Sequence, residues 1–288
     1  MNIVRPARLL LALFFLGVSV VVAAAPEEDA RATPPNQEVS LGDAKADDKD
    51  AATDVLASVN WGVGGGFASY PRWLGADKNK IHPVPYLNIN WQDRFQFSTV
   101  DGLVIDLLHG ERWHGGVVGT MMWGRSYRDL GALSASVPTR NNTLQGGVYL
   151  EYALTKALSL GWRLRHDLQS TGAAYSDIYA DLDLPEIGPV EHSVKLAEEG
   201  MNQQAMRRFF GVSQETADRL AVSAYQPGAA ASQYSLTYQG FIPTSLHTGF
   251  AVGAGVARLA RTASQSPLVK DFGSPIQKNF FAAFVVHY

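Results

Sequence analysis

The 288-residue chain contains no cysteine. In an exported protein that excludes a disulfide framework, and it also excludes a lipid-modified cysteine after a signal peptide. Beyond residue 22 no segment approaches ~18 consecutive apolar residues, so no later stretch reads as a membrane-spanning helix. Charge of one sign is also lacking. The formal net charge is −3, which argues against general nucleic-acid binding.

What is present begins with a leader. Arg5 and Arg8 precede an apolar run from Leu9 to Val22, followed by Ala23, Ala24 and Ala25. A basic start, a short apolar stretch and a small-residue site read as a cleavable secretory signal over residues 1–24. Pro26 disfavours a cut after Ala25, so Val22-Ala23-Ala24 is the expected recognition site. Residues 25–54 are rich in Ala, Pro, Asp and Glu, with Asp47, Asp48 and Asp50 clustered. Such a stretch buries too little apolar surface to offset its ordering entropy, and it is expected to be an acidic disordered linker.

From Val55 to Tyr288 the pattern alternates with period two, the signature of β-strands. The last segment sets Phe280, Ala282, Phe284, Val286 and Tyr288 on one face. A strand ending on an aromatic looks like the closing strand of an outer-membrane barrel. Elsewhere Leu158, Leu160, Trp162 and Leu164 oppose Ser159, Arg163, Arg165 and Asp167, and Ile178, Ala180 and Leu182 oppose Asp177, Asp181 and Asp183. The expected inward face also carries Asn88, Asn90, Gln145, Glu151, Lys195 and Glu199. Segments of about ten to fourteen residues suit tilted strands crossing lipid, whereas strands of soluble sheets are shorter. Trp61, Tyr70, Trp91, Trp113, Trp123, Tyr149 and Tyr288 fall near segment ends and are expected to form interfacial girdles.

Taken as one strand, Arg94 to His109 makes eleven segments, and an even number is required of a bacterial single-chain barrel. Asp101-Gly102 is a hairpin dipeptide in its middle, and splitting there gives twelve, with ten as the alternative. The split also places the long connections on one side and the short ones (Gln92-Asp93, Gly110 to Arg112, Lys156, Pro185 to Pro189, Pro243 to Ser245) on the other. Ala205 to Leu220 breaks the alternation, and Ser213 is positioned to cap a short helix beginning at Gln214. The expected fold is therefore all-β, a transmembrane antiparallel β-barrel over residues 55–288 with a short helix in one outer loop.

Several loops carry a family resemblance. Tyr70-Pro71-Arg72-Trp73-Leu74-Gly75-Ala76-Asp77, followed by Ile81-His82-Pro83-Val84-Pro85-Tyr86, resembles the Y-P-G-S-D loop and L-P-x-P-Y strand of the MipA/OmpV outer-membrane proteins. Met206 to Ser213, Ala224 to Ala229, and Ser266 to Lys270 with Gly273-Ser274 resemble further segments of that family, in the same order. Trp73-Leu74 departs from the family's small or acidic residues, and His287-Tyr288 from its usual Y-R-F ending. The resemblance implies an outer-membrane protein. One member is described as a scaffold joining a lytic murein transglycosylase to a murein synthase, and others as adhesins or porin-like proteins.

No catalytic constellation is legible. His192 and Ser193, beside Glu191, are adjacent on a strand and point to opposite faces, as do His166 and Asp167. His82, His109, His114, His247 and His287 show no metal-ligand spacing such as H-E-x-x-H. The sequence therefore assigns no catalytic, cofactor or metal residues. Together with the family resemblance, it favours a binding role for cell-wall enzymes at the outer-membrane lipid, with small-solute passage or surface adhesion as the alternatives.

Overall fold

The computed structural model describes residues 59–288 except 93, 101 and 170. The expected signal peptide, linker and first few residues of the barrel segment lie outside the described residues. Twelve strands close into one antiparallel barrel in which each strand pairs with its sequence neighbour. They are β1 (Val59–Pro71), β2 (Asn79–Trp91), β3 (Phe95–Ser98), β4 (Gly102–His109), β5 (Trp113–Met122), β6 (Thr143–Ala153), β7 (Leu158–Asp167), β8 (Ala174–Asp183), β9 (Glu191–Met201), β10 (Ala230–Pro243), β11 (Thr248–Leu259) and β12 (Ile276–His287). Closure is made by β1 against β12, in register from Gly62 opposite His287 to Ser69 opposite Phe280. A closed ladder satisfies every backbone group without an edge, the condition for crossing lipid with strands.

The alternation read from sequence sets the two surfaces. Leu144, Leu160, Trp162, Leu164, Ile178, Leu196, Leu236, Phe280 and Phe284 all point outward and are exposed, forming an apolar exterior. A soluble monomer does not expose a continuous band of this kind. Gln145, Glu151, Arg165, Asp167, Asp181, Lys195 and Glu199 are buried inside. The split at Gly102 is present: Ser98 pairs with Gly102 across the β3–β4 hairpin, and Gly102 has φ +81°. Both strands are short. β3 pairs β2 only from Asn88 to Trp91, so the wall between β2 and β5 is low at the long-loop end.

Helices gather at that end. They are α1 (Tyr127–Leu130), α2 (Gln203–Phe210), α3 (Gln214–Leu220), α4 (Arg261–Ser264) and α5 (Pro267–Phe272). The expected helix is α3, with Ser213 as its cap accepting from the Thr216 amide at 3.2 Å. The other four were not foreseen. α2 begins at Asn202, whose side chain accepts from the Ala205 amide at 2.9 Å. α1 carries a reciprocal Ser126/Asp129 capping box and is held to the low wall by Lys80 Nζ, which donates to Asp129 Oδ1 at 2.6 Å. No helix among the described residues is long and apolar enough to span a membrane.

The helices and loops pack into a cap with its own apolar core. Met206, Phe209 and Phe210 of α2 meet Val269 of α5 together with Met122, Tyr175 and Leu259 from the strands. Trp73, Ala76, Val212 and Leu268 form a second cluster beside it. Apart from Met122, Tyr175 and Leu259, these residues belong to the segments that carry the family resemblance, so those separate motifs converge in the cap. Gly75 shows why small residues are needed there: its φ is +105°, a Cβ on it would clash with Val269 Cγ2, and a Cβ on Gly273 would clash with the Gly75 carbonyl oxygen.

Three of the seven expected girdle aromatics are placed elsewhere. Tyr70 is buried inside the barrel, Trp123 lines the lumen beyond the end of β5, and Tyr149 has inward parity opposite Gly116 and Arg163. Proximity to a strand end does not fix which face a residue takes; parity does. Trp61, Trp91, Trp113 and Tyr288 are exposed at the short-turn end, where Trp61 stacks on Tyr288 with ring centroids 4.9 Å apart.

Candidate functional site

The inward charges are organised around Arg165 on β7. Its guanidinium, 2% exposed, donates to Gln145 Oε1 at 2.9 Å, Asp177 Oδ1 at 2.8 Å and Glu199 Oε2 at 3.3 Å. Gln145 in turn donates to Asp167 at 3.0 Å, and Ser232 donates to Glu199 Oε1 at 3.0 Å. The strands hold this arrangement because Arg165, Asp177 and Glu199 occupy inward positions on three consecutive strands, with Asp177 directly opposite Glu199. Arg208 of α2 reaches Asp167 at 3.4 Å, which ties the cap to the lumen wall.

Beside this lattice lies a cavity of about 730 Å³ in the long-loop half of the barrel. Its floor is Tyr179, whose hydroxyl donates to Glu151 at 3.0 Å and whose ring lies over Gly161. Lys195 Nζ sits 4.5 Å from the centre of that ring. Arg72, Lys80, Arg125, Arg140, Arg163 and Lys195 line the cavity against only Asp129, Asp177 and Glu199. Aromatic faces from Tyr70, Trp73, Trp123 and Tyr127 complete the wall. Cationic excess with aromatic surface suits an anionic, partly apolar occupant.

Toward the short-turn end the lumen is filled. Tyr86, Phe281, Ala283 and Val285 pack together, with Phe241 and Val84 against them. Of that cluster only Tyr70, at its long-loop edge, lines the cavity. The cavity therefore ends against packed side chains at mid-barrel.

Outside the spanning strands, the loop charges are tuned by their surroundings. Burial pushes the Arg125 guanidinium down to about 10, with Arg140 and Arg208 adding repulsion. It is satisfied by backbone oxygens, donating to Pro138 at 3.1 Å and Phe209 at 3.1 Å. Burial alone would raise the Asp129 carboxyl, but hydrogen bonds from Lys80 and Ser126 outweigh it and hold the group below the usual carboxylate range.

The short-turn end carries a third group. Asp106 Oδ2 lies 2.9 Å from His109 Nδ1 and 2.8 Å from His114 Nδ1. Local motifs such as H-E-x-x-H leave these histidines apart. They meet across a hairpin and a bulge, which spacing does not reveal. His192 and Ser193 do take opposite faces, with Ser193 buried inward and His192 against Tyr238.

The family model described as MltA-interacting protein MipA matches residues 63–288. No curated protein matches the sequence. Among solved structures, an outer membrane channel from Pseudomonas putida F1 is similar at 11% identity and TM-score 0.42, covering 80% of this chain and 96% of that one. Neisserial surface protein A is similar at 8% identity and TM-score 0.23, covering 79% and 95%. A porin is similar at 7% identity and TM-score 0.26, covering 80% and 99%.

Proposed function

The chain belongs to the MltA-interacting protein family, and from that premise we propose that it is an outer-membrane barrel that works by binding rather than by catalysis or free passage. The observation that carries this reading is the packed short-turn half of the lumen beneath a blind cavity. A barrel filled in this way is a rigid platform. Its long loops face outward and its short turns face the periplasm, the usual asymmetry of such barrels.

The partners are cell-wall enzymes, a lytic murein transglycosylase and a murein synthase. What supports this is the family's own name together with the periplasmic reach of the short turns and of the acidic segment 25–54. The turns alone offer little area, and a small area gives a transient complex unless the linker adds to it. Passage of small solutes is the second reading, favoured by the cationic cavity and opposed by the packing below it.

Deletion of Glu27 to Asp50 tests the proposal. The deletion is expected to leave the barrel folded and to weaken co-purification of a transglycosylase or synthase from crosslinked envelopes. Purified protein is expected to show little steady conductance in planar bilayers. Large reproducible channels with no cell-wall enzyme recovered would overturn the binding reading in favour of passage.

A further inference from the structure

On a regular strand Asp106 and His109, three residues apart, would face opposite sides of the wall. The β4–β5 ladder is not regular there. Asp106 pairs with Gly116, Leu108 with Gly115 and His109 with His114, so one extra residue is inserted between Asp106 and Leu108. Leu107 and Leu108 both remain on the exposed apolar exterior, 71% and 50% exposed. The bulge therefore turns Asp106 and His109 to the same inner face, where His114 of β5 joins them. Bulges that re-aim a side chain in this way are common beside functional sites.

We propose that Asp106, His109 and His114 form a binding site for a divalent transition metal of the zinc class at the short-turn mouth of the lumen. The ligands are His109 Nδ1, His114 Nδ1 and Asp106 Oδ2, and the three residues' ligand atoms lie within 4.8 Å of one another. Two imidazoles and one carboxylate suit zinc and its neighbours, whereas magnesium and calcium favour all-oxygen sets. Without a metal, both imidazole N–H groups donate to one carboxylate oxygen. A metal takes the Nδ1 lone pairs instead, and each ring keeps its proton on Nε2. Bonds of about 2.0 Å in tetrahedral geometry separate ligand atoms by roughly 3.3 Å, so each O···N distance opens by about half an ångström. The other carboxylate oxygen accepts from the Gly115 amide at 3.1 Å, which fixes its orientation as outer-shell partners do in metal sites. Three protein ligands leave a fourth position for water or for a donor from another molecule.

The test uses the full-length protein without a histidine tag, purified in detergent, stripped of metal and titrated with Zn²⁺ or Co²⁺. Wild type is expected to bind one ion per barrel and to give the visible absorption of tetrahedral Co²⁺. H114Q and H109Q are each expected to weaken binding at least about tenfold. H247Q alters a histidine at the same end but outside the trio, and is expected to bind as wild type. Heat-modifiable migration confirms that each variant is folded. Because a proton and the metal compete for the same ligand nitrogen, affinity is expected to be weaker in acid than at neutral pH. Stoichiometric binding unchanged in the H109Q/H114Q double variant, or no binding by wild type, would overturn the proposal and leave the trio as a hydrogen-bonded brace for the bulge.

Discussion

Replacing Arg165 by methionine tests whether the lumen lattice is a dry, structural element. Methionine keeps most of the stem volume, so the change removes charge and hydrogen bonds without opening a large cavity. The guanidinium is 2% exposed and serves Gln145, Asp177 and Glu199 together. Its loss leaves two carboxylates facing each other on neighbouring strands without a cation between them. Breaking a buried pair by removing one partner costs about 3–5 kcal/mol, most of it from the charge left behind. Glu199→Gln in the same background removes one of those charges, and is expected to recover about 1–3 kcal/mol. The assay is urea unfolding in detergent or liposomes, followed by tryptophan fluorescence and by the folded band on unheated gels. A loss below ~1 kcal/mol for Arg165→Met, with no recovery on adding Glu199→Gln, would mean that water screens these charges as at a surface. The lumen around the lattice would then be wet, and the lattice would not be a structural element.

Leu160→Arg puts a charge on the exposed exterior of β7 and is expected to cost about 2–4 kcal/mol near the bilayer midplane. Ser159→Arg points inward opposite Asp181 and is expected to cost less; equal loss of folded barrel in both would refute the register. Asp129 is held below its unfolded value, so its contribution to the cap is fully present above about pH 4 and is lost as pH falls through its lower folded value. Limited proteolysis around α1 is expected to accelerate in acid, and Asp129→Asn is expected to show the fast rate already at neutral pH.

Strand number and face were legible because lipid on one side and a polar lumen on the other impose a period of two on almost every segment. Leu158 to Asp167 shows this plainly, with each apolar residue outside and each charge inside. Gly102 marked the split because a tight turn at φ +81° strongly favours glycine. The girdle assignment failed at Tyr70, Trp123 and Tyr149 because it used position along the strand, whereas parity decides the face. Four of the five α-helices among the described residues were missed because they are only four to eight residues long and are held by packing in the cap rather than by periodicity. The His109–His114 pairing was illegible for a different reason. It depends on a one-residue bulge, and local alternation carries no mark of where an extra residue will be inserted.

The two halves of the lumen differ in how fully side chains occupy them, and this constrains how the barrel can act. In the long-loop half the charges are in excess of what their partners neutralise, and space remains beside them. In the short-turn half Tyr86, Phe241, Phe281 and Val285 pack together on the side of the wall formed by β10 to β12, β1 and β2. On the other side of that half Asp106, Glu151, Asp181 and Lys195 are buried inward, so the filling there mixes apolar and charged side chains. Rigidity follows from the same packing, because a filled barrel resists the ovalisation that an empty one allows. A platform of this kind keeps its short turns, and the bulged β4–β5 hairpin among them, at fixed positions. A partner that recognises those turns meets a surface whose geometry is set by the lumen packing behind it.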